Sequence, residues 1–165
     1  MPRQLYLIIG LLLVSVSGAN AATERDRIVI TEKTDAFEMT VPVSGLVMSI
    51  PKGGFQQAND SRSDASASRR YFYLHDKESH VILSGWFESA SEFAGITTFW
   101  DSEVAEWKKK GLPDPSNVTF TKVSRWEAIT YQIQLPEASN SHIRAHWVQA
   151  GTWIDLHLSM TSQWP

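Results

Sequence analysis

The sequence predicts an α+β fold in which an antiparallel sheet of about six or seven strands packs on one main helix, at about residues 90–110. Apolar and polar residues alternate along several short segments, and a period of two is typical of strands. One segment instead repeats apolar residues every three or four positions, which indicates a helix. Strand patterns precede and follow that segment, and this order favours α+β over alternating strands and helices.

The composition excludes several structural and functional classes of protein. The 165 residues are 42% hydrophobic and 20% charged, which suits one globular domain and excludes disorder along the whole chain. The chain has no cysteine, which excludes disulfides, thiolate metal sites and a cysteine nucleophile. A formal net charge of −3 argues against nucleic acid as a partner, because nucleic-acid binders usually carry a basic surface.

Residues 1–21 have the pattern of a secretory signal peptide. Arg3 supplies the positive start, residues 5–16 form the apolar stretch, and Ala19-Asn20-Ala21 is an A-x-A cleavage site. The apolar run is shorter than the roughly 20 residues that a membrane-spanning helix needs. We therefore predict a secreted, periplasmic protein without a membrane span after cleavage. The alternative is an uncleaved N-terminal anchor.

After cleavage, we predict an N-terminal arm at residues 22–36 and a single α+β domain at residues 37–165. Alternating patterns predict strands near residues 37–43 and 46–50. Residues 56–70 form a long polar loop, which is either solvated chain or a binding loop for an acidic partner. The arginines of this loop are Arg62, Arg69 and Arg70.

A hairpin is predicted from residues 71–75 and 80–87. If His75 opposes His80, then Leu74 opposes Val81. Both faces of this hairpin are largely apolar, so we expect the sheet to be covered on both sides.

The predicted helix follows the capping box Ser89-Ala90-Ser91-Glu92. Gly111 and Pro113 end it. Its apolar face should bury Trp100 against the sheet, and the residues of that face are Phe93, Ile96, Trp100, Val104 and Trp107. Two strands follow at residues 117–123 and 125–135, and a final hairpin joins residues 142–149 to residues 152–160.

The run TVPVSGLVMSIPKGGF, the following hairpin, the Trp-rich helix and the ending WIDLHLSM together resemble the Mog1/PsbP-like family. The resemblance covers Phe37 to Met160 and implies helices packed on an antiparallel sheet, with a non-enzymatic binding or assembly role. It carries no functional residue over to this chain. Members of the family usually end in a helix. Either the N-terminal segment covers that part of the sheet here, or a C-terminal helix is missing from this sequence.

The final hairpin holds the candidate site. A two-residue tip at Ala150-Gly151 pairs Gln149 with Thr152, and His146 with Asp155. Because directly paired residues share a face and side chains alternate, one face carries the polar residues and the other carries apolar ones. The predicted ligand-binding residues on this polar face are His142, Arg144, His146, Trp153, Asp155 and His157.

Several interpretations of the polar face stay open. It is a solvated sheet face, a site for an anion or small polar ligand, or a metal site formed by His142, His146 and His157. Asp155 could also orient His146 as a catalytic base. The sequence contains none of the common nucleophile, phosphate-loop or zinc-protease motifs, and we predict no cofactor and no metal.

The leading functional hypothesis is therefore an exported, non-enzymatic binding or assembly module. Its partner is an unknown protein or a small polar ligand. The alternative is a small hydrolase or metal-dependent enzyme that uses the face of His146 and Asp155.

Overall fold

A computed structural model describes residues 28–41, 44–58 and 70–163. The predicted signal peptide, the start of the predicted arm, and Arg62 and Arg69 of the polar loop lie outside these residues. The chain divides into two compact units, residues 1–53 and residues 54–165. Within the described residues, no helix is long and apolar enough to cross a membrane.

The first unit contains a three-stranded antiparallel sheet in the order β1-β2-β3. Its strands are β1 (Val29–Glu32), β2 (Ala36–Thr40) and β3 (Val47–Pro51). In β2 and β3 every second side chain is buried, as the alternating pattern predicted. These strands form a sheet of their own, whereas the sequence suggested one sheet for the whole domain.

The second unit contains a seven-stranded antiparallel sheet in the order β4-β5-β6-β10-β9-β8-β7. Together with one α-helix, it confirms an α+β fold built mainly of antiparallel sheet. Strands that follow one another in sequence pair with each other, except β6 and β7. The strand that pairs with β6 instead is β10, which lies between β6 and β9. The strands are β4 (Gln56–Gln57), β5 (Tyr71–Asp76), β6 (Val81–Ser89), β7 (Ser116–Val123), β8 (Trp126–Gln134), β9 (Ala138–Gln149) and β10 (Thr152–Gln163).

The β5–β6 hairpin differs from its predicted register by two residues, since Asp76 pairs with Val81 and Leu74 with Leu83. The turn explains the difference. The Asp76 carboxylate accepts hydrogen bonds from the backbone N–H groups of Glu78 and Ser79 and from the Ser79 hydroxyl. These bonds hold a four-residue turn at residues 77–80, one position later than the predicted turn at residues 76–79, and the apolar pattern does not encode that position. A shift of two keeps every side chain on its predicted face.

One face of the seven-stranded sheet is a continuous apolar surface. Phe72 and Phe87 stack there with ring centroids 6.0 Å apart. Gly85 lies directly opposite Phe72, and a Cβ at Gly85 would overlap the Phe72 ring and approach Leu156 to 2.9 Å. The absence of a side chain at Gly85 therefore makes room for the ring. The buried apolar side chains of this face include Phe72, Leu74, Phe87, Ala145, Trp147, Ile154, Leu156 and Leu158.

The α-helix α1 spans Ile96–Lys109, so it begins later than predicted. The Ser89 hydroxyl instead caps a single 3₁₀ turn, Ala90–Glu92, where it accepts a hydrogen bond from the Ser91 N–H. Gly95 then adopts φ 99° and ψ 158°, a backbone conformation that is essentially restricted to glycine. The Ser89 hydroxyl therefore caps a short turn that ends before the helix begins.

The helix packs on β8 as the apolar spacing predicted. Trp100 is buried with Ile129 and Tyr131. The centroids of the Trp100 and Tyr131 rings are 4.9 Å apart. The partly buried residues around this cluster are Ile96, Phe99, Val104, Trp107 and Ile133.

Candidate functional site

The final hairpin has the predicted register. Gln149 pairs with Thr152, and His146 pairs with Asp155. Ala150 and Gly151 both have positive φ, 49° and 76°, as a two-residue hairpin turn of the favoured twist requires. The six predicted residues of the polar face therefore lie on the same side of β9 and β10.

This polar face is covered, not solvated. His146 is only 1% exposed and Asp155 8%. The rings of Phe93 and Phe99 lie against His146, with centroids 5.5 Å and 4.3 Å from it. The hairpin pattern showed which residues share a face. It did not show that α1 and the segment before it lie on the face that carries the charges.

Arg144 and Asp155 form the centre of the covered face. The guanidinium donates two hydrogen bonds to the carboxylate, Nε to Oδ1 at 3.1 Å and Nη2 to Oδ2 at 2.5 Å. Glu103 of α1 lies 3.7 Å away from Arg144, whose guanidinium lies 4.8 Å from the centroid of the Phe99 ring. Two parallel bonds of this kind make the pair an ion pair with a fixed orientation.

This group brings two carboxylates, those of Asp155 and Glu103, to one guanidinium. Burial lowers the pKa of Arg144, but Asp155 and Glu103 raise it more, so the guanidinium remains charged. Burial raises the pKa of Asp155, and Arg144 opposes that rise. We regard the pair as ionised at neutral pH because both carboxylate oxygens receive charged donors.

His146 has a defined tautomer. The Trp153 indole N–H donates to its Nδ1 over 3.1 Å. An indole N–H can only donate, so Nδ1 accepts and the proton of the neutral ring is on Nε2. Burial, reinforced by the charge of Arg144, lowers the pKa of His146 to about 3. Within the described residues, its Nε2 has no hydrogen-bond partner.

The proposed pairing of His146 with Asp155 as base and orienting group does not form. Asp155 Oδ1 is 3.6 Å from His146 Nδ1, and its hydrogen bonds come from Arg144. Trp153, not Asp155, selects the tautomer of His146. The cross-strand register places the side chains of His146 and Asp155 next to each other. Each of them nevertheless accepts from another residue, His146 from Trp153 and Asp155 from Arg144.

His142 and His157 bond to each other, Nδ1 to Nε2, over 3.0 Å. Tyr131 stacks on His142 with a centroid distance of 4.7 Å. Burial, followed by the charge of Arg144, lowers the pKa of His142 to about 4 and that of His157 to about 3. In the part of the chain that the structure describes, no group of three His, Asp or Glu side chains is placed to hold a metal ion.

Two open pockets flank the covered cluster. The first, which we call the ion-pair pocket, has a volume of about 250 Å³. It lies where β5, β6, β10 and β9 present the polar face. Its side-chain lining combines three predicted residues with three that the sequence did not single out: Arg144, Asp155, His157, Tyr71, Ser84 and Trp86.

Sequence reasoning missed Tyr71, Ser84 and Trp86 because they come from a different hairpin. The pairing of β10 with β6, which sets His157 opposite Ser84 and Asp155 opposite Trp86, brings them to the site. The Trp86 indole N–H donates to Glu88, and Glu88 also pairs with Arg70 at 3.3 Å. The indole ring therefore has a fixed orientation at the pocket wall.

The second pocket, which we call the turn pocket, has a volume of about 390 Å³. It lies at the β7–β8 turn, and six of its lining residues are Phe93, Lys122, Ser124, Arg125, Glu127 and His146. His142 and Trp153 line neither pocket. They act on the polar face through their bonds to His157 and His146.

Comparison with protein-family models gives no match for this chain, and comparison with curated proteins gives none. The resemblance to the Mog1/PsbP-like family therefore stays a prediction.

Proposed function

We propose that this protein is an exported, non-catalytic binding module that takes a small, uncharged, polar ligand in the ion-pair pocket. The observation that carries this proposal is the lining of the pocket. The aromatic rings of Tyr71 and Trp86 line it together with the Arg144–Asp155 ion pair, and Glu103 also lies beside Arg144. A pocket with an apolar wall and a few fixed polar groups is the usual form of a small-molecule site.

Charge balance supports an uncharged ligand. Asp155 and Glu103 both lie against Arg144, so its positive charge is not available to select an anion. His157 is neutral near pH 7 because burial and Arg144 lower its pKa to about 3. Hydroxyl groups suit such a site, since they can accept from a guanidinium and donate to a carboxylate.

The aromatic wall supports a ligand with a flat apolar side. Tyr71 and Trp86 are half-buried, with ring centroids 5.8 Å apart. Aromatic rings combine a large apolar contact area with few internal rotations, so they bind at low entropic cost. A saccharide ring presents both an apolar C–H side and a rim of hydroxyls, and we propose saccharides as the ligand class.

The histidine geometry supports binding over hydrolysis. Ser84 supplies an aliphatic hydroxyl to the pocket, and His157 lies opposite it across the ladder. However, His157 Nε2 bonds to His142, and Asp155 bonds to Arg144. The elements of a serine–histidine–acid relay are therefore engaged with other partners.

The test is calorimetric titration of the protein with a panel of neutral monosaccharides and disaccharides. We expect binding by at least one of them, and a loss of about tenfold or more in affinity in the Trp86→Ala variant. Phe120→Ala is the matched control, because Phe120 is an exposed aromatic residue that does not line the pocket. If no saccharide binds, or if both variants bind as the parent protein does, the proposed ligand class is wrong.

Export is proposed from the sequence of residues 1–21 alone. Mass spectrometry of the protein from a Gram-negative periplasmic extract should give an N-terminus at Ala22. Soluble periplasmic protein that retains Met1 would contradict the cleavage, whatever the outcome of the saccharide titration.

A further inference from the structure

The strand β7 forms an open edge of the seven-stranded sheet. It lies last in the strand order, so in the part of the chain that the structure describes no strand pairs with its outer side. All of its residues are exposed, and Phe120 has 46% of its surface in contact with solvent. An open edge carries a row of backbone N–H and C=O groups that can pair with another strand.

The other edges of the two described sheets are short or carry residues that discourage pairing. At the opposite edge of the same sheet, β4 has two residues. In the three-stranded sheet, β1 has four residues and includes Glu32, and β3 ends at Pro51. Charged residues and proline at an edge are usual protections against pairing. In contrast, β7 keeps a regular register over residues 119–123, and the charged residue of that segment is Lys122.

The turn after β7 fixes which of its backbone groups face outwards. Ser124-Arg125 is a two-residue turn between the paired residues Val123 and Trp126. Such a turn is closed by a hydrogen-bonded pair, and hydrogen-bonded and non-hydrogen-bonded pairs alternate along an antiparallel ladder. The backbone groups of the odd-numbered residues of the segment therefore face β8, and those of Phe120 and Lys122 face outwards.

We propose that two copies of this protein associate through their β7 strands, antiparallel and about a two-fold axis, so that the two seven-stranded sheets become continuous. The register of β7 shifts between Ser116 and Thr119, and the longest pairing that avoids this shift is centred on Thr121. That pairing sets Thr121 opposite the partner's Thr121, and Phe120 opposite the partner's Lys122. Phe120 and Lys122 carry the outward backbone groups, so they exchange the hydrogen bonds between the copies.

The side chains of β7 make the strand complementary to itself in this register. Phe120 and Lys122 share a face because they are two positions apart, and an ammonium group beside an aromatic ring is attracted to it. Lys122 lies 3.8 Å from Glu127 of its own copy, which reduces the repulsion between the two lysines of a dimer. The two-fold axis makes every contact twice. These features favour a second copy over an unrelated strand.

This association does not depend on the proposed saccharide site. The residues that line the ion-pair pocket come from β5, β6, β9 and β10, and none of them lies on β7. An interface one strand wide buries less than the roughly 800 Å² per partner of stable complexes. We therefore expect a reversible dimer with a dissociation constant of about 10–100 μM.

The first experiment is sedimentation velocity of the protein over a range of concentrations that spans this constant. Lys122→Pro removes an outward N–H but leaves the β7–β8 ladder intact, so it should weaken association at least about tenfold. Lys122→Gln is the matched control, because it removes the same charge and keeps the N–H. It should change the dissociation constant by less than about threefold.

The second experiment uses the absence of cysteine from the chain. Thr121→Cys should form a disulfide-linked dimer under mild oxidation, because directly opposed Cα atoms of such a pair are about 4.5 Å apart. Thr119→Cys is the matched control on the same strand and face. Its two copies would lie about 13 Å apart along the strands, too far for a disulfide.

The two experiments give three results that would overturn the inference. The first is a parent protein that stays monomeric throughout, which would leave the edge without a second copy as its partner. The second is a Lys122→Pro variant that associates as Lys122→Gln does. The third is equal cross-linking, or none, in the two cysteine variants.

Discussion

Asp155 is the residue that compensates the positive charge of Arg144 on the covered sheet face. Its carboxylate receives two hydrogen bonds from the guanidinium and is 8% exposed. Glu103 is the other acid beside Arg144, but its side chain is 32% exposed and lies at 3.7 Å. The two acids therefore differ in how much of the buried charge they compensate.

We expect Asp155→Asn to lower the free energy of unfolding by about 3 kcal/mol or more, because it leaves a buried guanidinium without its main partner. Glu103→Gln is the comparison and should cost less than about 1 kcal/mol, as is usual for partly exposed pairs. Urea denaturation of the two variants measures the difference. Equal costs would mean that Asp155 is not the dominant partner.

Gly85 tests the packing on the opposite face. A methyl group at this position would overlap the Phe72 ring, which is 2% exposed and cannot move into solvent without loss of the core. Gly85→Ala should therefore destabilise the protein by about 1–3 kcal/mol. Adding Phe72→Leu should recover part of that loss, as measured by thermal denaturation, and a double variant that loses the sum of both costs would contradict the overlap.

At the scale of elements, α1 and the β9–β10 hairpin depend on each other. The hairpin presents a face that mixes ions and histidines, and the helix covers it with Phe99, Glu103 and its apolar stripe. Trp100 is the buried residue of the helix and makes an edge contact with Trp107, with centroids 5.7 Å apart.

Trp100→Ala should lower the free energy of unfolding by about 3–5 kcal/mol, because it leaves a cavity among Ile129, Tyr131 and Trp107. The neighbouring exposed residue gives the control, and Asp101→Ala should stay within about 0.5 kcal/mol. Chemical denaturation measures both. A cost below about 1 kcal/mol for Trp100→Ala would show that this contact does not hold the helix on the sheet.

At the scale of the whole molecule, three histidines should make the protein sensitive to acid. The folded-state pKa values of His142, His146 and His157 are lowered to about 4, 3 and 3, and the unfolded value is near 6.5. Between these values the unfolded chain binds protons that the folded chain does not, so stability falls as the pH falls. The charged groups that face them are Arg144, Asp155 and Glu103, and Glu127 lies opposite His146 across the β8–β9 ladder.

From about pH 7 to about pH 5, the buried His146 and His157 should each remove up to about 2 kcal/mol of stability, and the more exposed His142 should remove less. Losses of this size are a large fraction of the stability of an ordinary domain, so we expect the urea midpoint to fall on mild acidification. Urea midpoints at several pH values measure this slope. His157→Gln should reduce it, whereas His80→Gln, in the exposed β5–β6 turn, should not. A midpoint that is constant over this range would contradict the buried, neutral histidines.

Local patterns in the sequence determined much of this molecule. Alternation located most strands, a three- and four-residue spacing located Trp100 in the helix, and the Ala150-Gly151 tip set the register of the last hairpin. Each of these signals acts between residues that are close in sequence. For that reason these patterns predict local structure correctly without knowledge of the rest of the fold.

Contacts between distant elements decided the rest. The sequence did not show that α1 covers the polar face, because helix and hairpin patterns carry no information about which surfaces meet. It also did not show that β10 lies beside β6, which brings Trp86 and Ser84 to Arg144 and His157. The hydrogen-bond partner of a buried acceptor is the donor that the fold places within bonding distance of it. For Nδ1 of His146 that donor is Trp153, and only the tertiary structure sets this distance.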